Sequence, residues 1–157
     1  LRPTKHRRVR RAKRPRPSKR SKIQNEIEID EGLKKLGKMK LSSLYYSICD
    51  IPLEHNTPLL SVGVWSLLES LTSLAGRADN VSFDAFWSNQ KLQQYGVGSG
   101  KRLKPINDAV KRISENGNAV KHHHTAANFN GEQLANDMDT LKELILKCIE
   151  EAASKKS

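Results

Sequence analysis

Residues 57–76 read TPLLSVGVWSLLESLTSLAG and carry a single charged side chain, Glu69. Thr57 suits the N-cap of a helix and Pro58 suits its first turn. Apolar residues then occur on nearly every side of the helical wheel until Gly76, a residue typical of helix ends. Because a helix that is apolar all round packs on several sides at once, we predict that this segment is the central helix of the fold.

Apolar residues recur at intervals of three and four in four other segments, namely 30–49, 83–95, 105–116 and 131–153. No segment argues for a strand. The sequence therefore predicts an all-α fold, a bundle of four or five helices joined by short loops. Within these patterns we expect Cys49 and Cys148 to be reduced core residues, and we expect Trp65 and Trp87 to be buried.

Glycine, proline and asparagine set the expected helix boundaries. The first pattern is expected to end at Ile51-Pro52, because the residue before proline avoids the α region. Either Gly37 or the pair Ser42-Ser43 divides it into two helices. Asn116-Gly117 is expected to end the helix that begins near residue 105. Asn130 is expected to cap the last helix.

The charge is concentrated at the N-terminus. Lys and Arg number 28 against 17 Asp and Glu, and residues 1–22 hold twelve of the basic residues and no acid. The rest of the chain is close to neutral. Since residues 1–22 contain almost nothing apolar, burial cannot offset their chain entropy, and we expect a disordered arm. The predicted organisation is a basic arm or linker (1–22), an acidic connector (23–29), a helical bundle domain (30–153) and a tail (154–157).

A basic arm of this density indicates a polyanionic partner. Lys and Arg displace counterions from phosphates without reading base sequence, so we expect the arm to bind DNA or RNA. A nuclear-import signal in a eukaryotic host and a plain linker are the alternatives. Leu1 at the start leads us to expect an upstream domain or partner protein. The residues predicted to bind nucleic acid are Arg7, Arg8, Arg10, Arg11, Lys13, Arg14, Arg16, Lys19, Arg20, Lys101 and Arg102.

Several other functions are disfavoured. No apolar run reaches the roughly 20 residues of a membrane span, so we expect no membrane and a cytoplasmic protein, or a nuclear one in a eukaryote. The loop from Gly96 to Lys101 resembles a phosphate loop. However, Tyr95 stands where the first glycine is needed, and Arg102 stands where Ser or Thr is needed. We expect a flexible connector there and no cofactor.

Residues 112–124, RISENGNAVKHHH, hold three of the five histidines. One interpretation is structural: Gly117 ends a helix, Asn118 forms a turn and a histidine hydrogen-bonds the backbone. A metal site is disfavoured, because consecutive helical residues point about 100° apart and no acid or Cys stands at zinc spacing.

The run Gly117-Asn118-Ala119-Val120-Lys121-His122, between a penultimate and a long final helix, resembles the signature turn of the HEPN superfamily. These are small helical bundles common in prokaryotic toxin–antitoxin and antiphage systems. In active members an arginine, often followed by asparagine, precedes a histidine by four to six residues. The resemblance implies a HEPN-like bundle over about residues 30–153, a homodimer, and metal-independent RNA cleavage at a site formed across the dimer.

Asn118 and His122 match the polar and histidine positions of that motif, but Gly117 stands at the arginine position. Arg112 lies on the preceding helix, as in some HEPN-like families that carry Gly-Asn before the histidine. By the resemblance, His122 would be the general acid or base, Arg112 would stabilise developing charge, and Asn118 would position the substrate.

The incomplete pair makes a non-enzymatic interaction module our prediction: a nucleic-acid-associated bundle, of a prokaryotic defence or toxin–antitoxin type, that binds through its arm. A metal-independent HEPN ribonuclease using His122 with Arg112 is one alternative. A plain structural or dimerisation domain of a larger protein is another.

Overall fold

A computed structural model describes residues 19–122 and 129–156, apart from the side chains of Lys121 and His122. Over these ranges the chain is all-α, as predicted, with no strand. Residues 1–18 of the arm, together with His123 and His124, lie outside the described residues. The helices are α1 (Ile27–Lys35), α2 (Met39–Asp50), α3 (Thr57–Leu74), α4 (Phe83–Phe86), α5 (Asn89–Tyr95), α6 (Leu103–His122), α7 (Gly131–Thr140) and α8 (Lys142–Ser154), with a 3-10 turn at Gly100–Arg102.

Helix α3 is the centre of the bundle, as its composition predicts. It packs against α2, α4, α6, α7 and α8. It begins with Asn56 at the cap position, one residue before the expected Thr57, and Gly76 follows its end with a left-handed φ of 98°. Its buried apolar residues are each at most 2% exposed, namely Leu60, Val64, Leu67, Leu68 and Leu71.

Three of the predicted helices are each divided in two, which raises the count above five. Gly37, with φ 68°, separates α1 from α2, so of the two expected break points the glycine is the one used. Ser88 restarts the chain as α5 by accepting a hydrogen bond from the Lys91 N–H at 3.2 Å. A single residue, Leu141, separates α7 from α8, and Asn130 caps α7 as expected.

Helix α6 departs from the prediction. It was expected to end at Asn116-Gly117, yet it runs on as far as His122. The predicted boundary is therefore wrong, and so is the interpretation of Gly117 as the residue that ends a helix.

The thiols and Trp87 belong to the core. Cys49 and Cys148 are free and buried, and burial raises their thiol pKa values to about 11 and about 12. Both thiols therefore stay protonated near neutral pH, which makes them inert as nucleophiles. Trp87 is only 2% exposed, as expected, whereas Trp65 is half-buried.

A polar cluster joins α5 to α8. Lys91 Nζ lies 2.6 Å from Glu151 Oε1, and the Tyr95 hydroxyl donates to the other carboxylate oxygen. Burial alone would raise the Glu151 pKa and is the largest single influence, but these two hydrogen bonds and the Lys91 charge together lower it. The cluster holds a seven-residue helix that has little apolar surface of its own.

None of the helices in the described ranges has the length and apolar character that crossing a membrane requires.

Candidate functional site

The part of α6 from Arg112 to His122 carries the residues that the HEPN resemblance singles out. Gly117 is buried against α3, and a Cβ placed on it would lie 2.4 Å from Cγ of Trp65. No side chain fits in that space. Gly117 is therefore a point of close approach between α3 and α6, and its position in mid-helix is explained by this contact rather than by helix termination.

Arg112 is fixed by a buried carboxylate on α7. Its Nε donates to Asp137 Oδ2 at 3.0 Å and its Nη2 donates to Oδ1 at 2.7 Å, the two-pronged geometry that suits guanidinium and carboxylate. Gln133 Nε2 adds a third hydrogen bond to Oδ1 at 2.9 Å. The Asp137 side chain is 4% exposed and that of Arg112 is 41% exposed. The hydrogen bond to Asp137 raises the pKa of Arg112, which stays charged.

The structure does not bring the three predicted catalytic residues together within one chain. Arg112 and His122 are ten residues apart on one continuous helix, which separates their Cα atoms by about 15 Å along its axis. Asn118 is exposed and lies one turn before His122. The side chain of His122 is outside the described residues, as are His123 and His124.

The arm enters the body at a defined place. The Leu53 N–H donates to the Ser21 carbonyl at 2.8 Å, which fixes the chain against the α2–α3 loop. Arg20 binds Asn136 at 3.3 Å and forms a two-pronged pair with Asp139, both on α7. Arg20, predicted to bind nucleic acid, is thus occupied by the body itself.

A groove of about 680 Å³ lies at this point of entry. Lys19 and Arg20 line one side, Glu54 and His55 of the α2–α3 loop line another, and residues 129–132 close it. Six residues join His122 to Phe129 at its edge. The groove therefore adjoins both the base of the arm and the residues at the start of α7.

Lys101 and Arg102, the other predicted nucleic-acid contacts, are exposed in the 3-10 turn that precedes α6. They stand at the opposite end of α6 from His122, about 30 Å away along a helix of this length. Within 19–122 and 129–156, no three His, Cys, Asp or Glu side chains are grouped so that they could hold a metal ion.

Two determinants of this region were missed by sequence reasoning. Asp137 stands beside Met138 on the apolar stripe of the last predicted helix, and an acid in that position is a signal for a buried ion pair. The contact between Trp65 and Gly117 left no local signal, because it joins residues 52 positions apart.

No family model, no curated protein and no solved structure matches the chain.

Proposed function

We propose that this chain is a nucleic-acid-associated interaction module, in which a cationic arm binds the phosphate backbone of DNA or RNA and the helical bundle fixes the base of the arm. The observation that carries the proposal is the partition of charge: twelve basic residues and no acid in residues 1–22, ahead of a nearly neutral body. Phosphate contacts of this kind give affinity without sequence specificity.

The anchoring of the arm supports the proposal. Ser21 is tied to Leu53 by its backbone, Arg20 is paired with Asp139, and Lys22 lies 3.7 Å from Asp50. The last basic residues of the arm, Arg20 and Lys22, are therefore held against the body, and this attachment fixes where the arm begins. An arm that starts from a fixed point delivers a bound strand to one face of the bundle.

The test is fluorescence anisotropy with a labelled single-stranded oligonucleotide, as DNA and as RNA, at several salt concentrations. A variant with Arg7, Arg8, Arg10 and Arg11 changed to Ser is compared with one in which Lys104, Lys111, Lys142 and Lys147 of the body are changed to Ser. We expect the arm variant to lose affinity at least about tenfold and to flatten the salt dependence, because each phosphate contact adds to the slope. Equal losses in the two variants would remove the arm from the proposal.

A metal-independent ribonuclease is the second candidate, favoured by one feature: the guanidinium of Arg112 is half-exposed and pre-positioned by Asp137. Because Arg112 and His122 are far apart along one helix, a shared phosphate would have to lie between two copies of the chain. This candidate therefore requires the homodimer that the HEPN resemblance implies. It would act in the cytoplasm of a prokaryotic cell as a defence or toxin effector.

The two candidates differ in a single assay. Labelled RNA incubated in EDTA is cleaved by a ribonuclease of this class, and the His122→Ala variant leaves it intact. Light scattering on the same samples gives the oligomeric state. Cleavage by a dimer, lost on His122→Ala, would replace the binding module with the enzyme.

A further inference from the structure

A second basic surface lies at the end of the bundle where α1, α3 and α8 finish and α2 begins. Two adjoining depressions of about 390 and 290 Å³ share Lys38 and Leu74 in their walls. Lys40 borders the first, and Lys155 and Lys156 border the second. We call this surface the lysine-rimmed groove.

Helix ends account for only part of the lysine cluster. The carbonyl ends of helices favour cations, and Lys156 Nζ donates to the Leu36 carbonyl at the end of α1 at 2.9 Å. The side chain of Lys155 lies over Gly76 beyond the end of α3. These two lysines are therefore explained by the fold.

Lys38 and Lys40 have the opposite relation to their helix. They flank the N-terminus of α2, where Lys38 is the cap residue without a side-chain cap and the first turn holds no acid. The N-terminal end of a helix carries partial positive charge, so cations there oppose helix formation. Both side chains are exposed, and neither forms an ion pair with any acid in the described ranges.

Between the lysines, apolar and polar side chains line the groove. Leu41, Ser70, Ser73 and half-buried Leu74 line the first depression, and Leu36, Leu74 and Ala152 line the second. Glu69, the one acid among the lining residues, is already bound by Arg77 at 2.9 Å. Two exposed lysines that form no ion pair in the described ranges, Lys38 and Lys40, therefore stand beside apolar side chains, which suits a ligand that carries carboxylates around aliphatic side chains.

We propose that the lysine-rimmed groove binds an acidic segment of a partner protein, with aliphatic residues in the two depressions and carboxylates on Lys38, Lys40 and Lys155. A nucleic-acid backbone fits less well, because the lining residues include no aromatic ring on which a base could stack. The groove is separate from the base of the arm, since Lys38 precedes α2 and Leu53, which holds the arm, follows it.

The probe is a fluorescein-labelled peptide of glutamate with leucine at every third or fourth position. A second peptide has each leucine replaced by glutamine. Binding is measured by anisotropy with the full chain, with Lys38→Glu/Lys40→Glu and with the matched control Lys111→Glu/Lys147→Glu. The control changes Lys111, which is exposed, and Lys147, which is partly exposed, by the same charge, and the arm is identical in all three proteins.

We expect Lys38→Glu/Lys40→Glu to weaken binding of the leucine peptide about tenfold or more, against about twofold for the control, since only close charges couple strongly. The same variant is expected to unfold at a higher temperature, by about 2–4 °C, because acids at a helix N-terminus replace cations. A gain in stability combined with a loss of binding cannot come from misfolding.

Equal losses in the two variants, or equal binding of the glutamine peptide, would assign the interaction to the arm and overturn the proposal. So would a result in which single-stranded DNA or phosphatidylserine vesicles lose affinity for Lys38→Glu/Lys40→Glu while the leucine peptide does not. The groove would then belong to a phosphate backbone or a membrane surface.

Discussion

Helix α6 is fixed to the body at two places five residues apart, and the two contacts differ in kind. At Gly117 the contact is one of shape, since Trp65 occupies the space that any side chain would need. At Arg112 the contact is one of charge, made to a buried carboxylate while the guanidinium stays half-exposed. The packing at Gly117 leaves no room for a functional side chain, whereas the ion pair at Arg112 leaves part of a guanidinium accessible. Gly117, which the sequence resemblance matches to the HEPN arginine position, is the first of these places, and an arginine there would collide with Trp65.

The shape contact can be broken by giving Gly117 a side chain. We expect Gly117→Arg to prevent folding or to cost more than about 4 kcal/mol, and Gly117→Ala to cost about 2–3 kcal/mol, because overpacking displaces the Trp65 ring. Urea denaturation measures both. Asn118→Arg, at the exposed neighbouring position, is the matched control and should change stability by less than about 0.5 kcal/mol.

A double-mutant cycle sharpens the same contact. In a Trp65→Gly background, which removes the ring and also the Trp65 Cβ that would lie 2.5 Å from the new methyl group, Gly117→Ala should become neutral or stabilising by up to about 1 kcal/mol, since alanine is the better helix former. If Gly117→Ala costs the same in both backgrounds, the ring is not what excludes the side chain.

The Arg112–Asp137 ion pair can be broken by substituting either residue, and we expect the two substitutions to differ in their cost to stability. Arg112→Met leaves the buried Asp137 carboxylate with only Gln133, so we expect a loss of about 2–3 kcal/mol. Asp137→Asn leaves Arg112 free to turn towards water and should cost about 1 kcal/mol less. Denaturation midpoints give both values. If the two substitutions lower the free energy of unfolding equally, burial of the Asp137 carboxylate does not set the cost of breaking the pair.

The Arg112–Asp137 ion pair affects how a catalytic test of Arg112 is interpreted. A loss of RNA cleavage on Arg112→Ala would follow from loss of stability as well as from loss of a charge stabiliser. Activity is therefore interpretable only beside the denaturation midpoint of the same variant.

The α5–α8 cluster offers a pH-dependent comparison. The Glu151 pKa is lowered in the folded state, so its contribution to stability is complete above the unfolded pKa and is lost as pH falls through the folded one. We expect Glu151→Gln to cost about 1 kcal/mol at pH 7, and we expect this cost to shrink as the pH falls through the lowered pKa of the folded state. Thermal unfolding of both proteins from pH 2 to pH 7 measures this. If the two proteins differ in unfolding temperature by the same amount across that range, the charge of the Glu151 carboxylate does not contribute to stability.

The smallest effect concerns the base of the arm. Asp139→Asn should change stability by less than about 1 kcal/mol, as expected of a surface pair. Because it releases Arg20, we expect nucleic-acid affinity to rise by about twofold. Asp50→Asn, which faces Lys22, is the companion variant and should act in the same direction. A fall in affinity would mean that the fixed position of Arg20, and not its charge alone, aids binding.

The sequence predicted what depends on local patterns, and it missed what depends on distant contacts. The central helix, the Gly37 break and the Asn130 cap follow from periodicity and from the backbone preferences of glycine and asparagine. The continuation of α6 through Gly117 does not, because the local signal favours a helix end and a tryptophan 52 positions earlier overrides it.

The candidate site shows the same division. Arg112 was singled out from sequence, whereas its partner Asp137 was not. The separation of Arg112 and His122 along one helix was also missed, because the sequence predicted a helix end at Gly117. The break at Leu141 has no signal in glycine or proline.

The most direct test of the account is incubation of the purified chain with labelled single-stranded RNA in EDTA, at low and at physiological salt. We predict intact RNA that is retained at low salt and released as salt rises, because counterion release drives the binding. Cleaved RNA, with cleavage lost on His122→Ala, would contradict the account and establish the enzyme in its place.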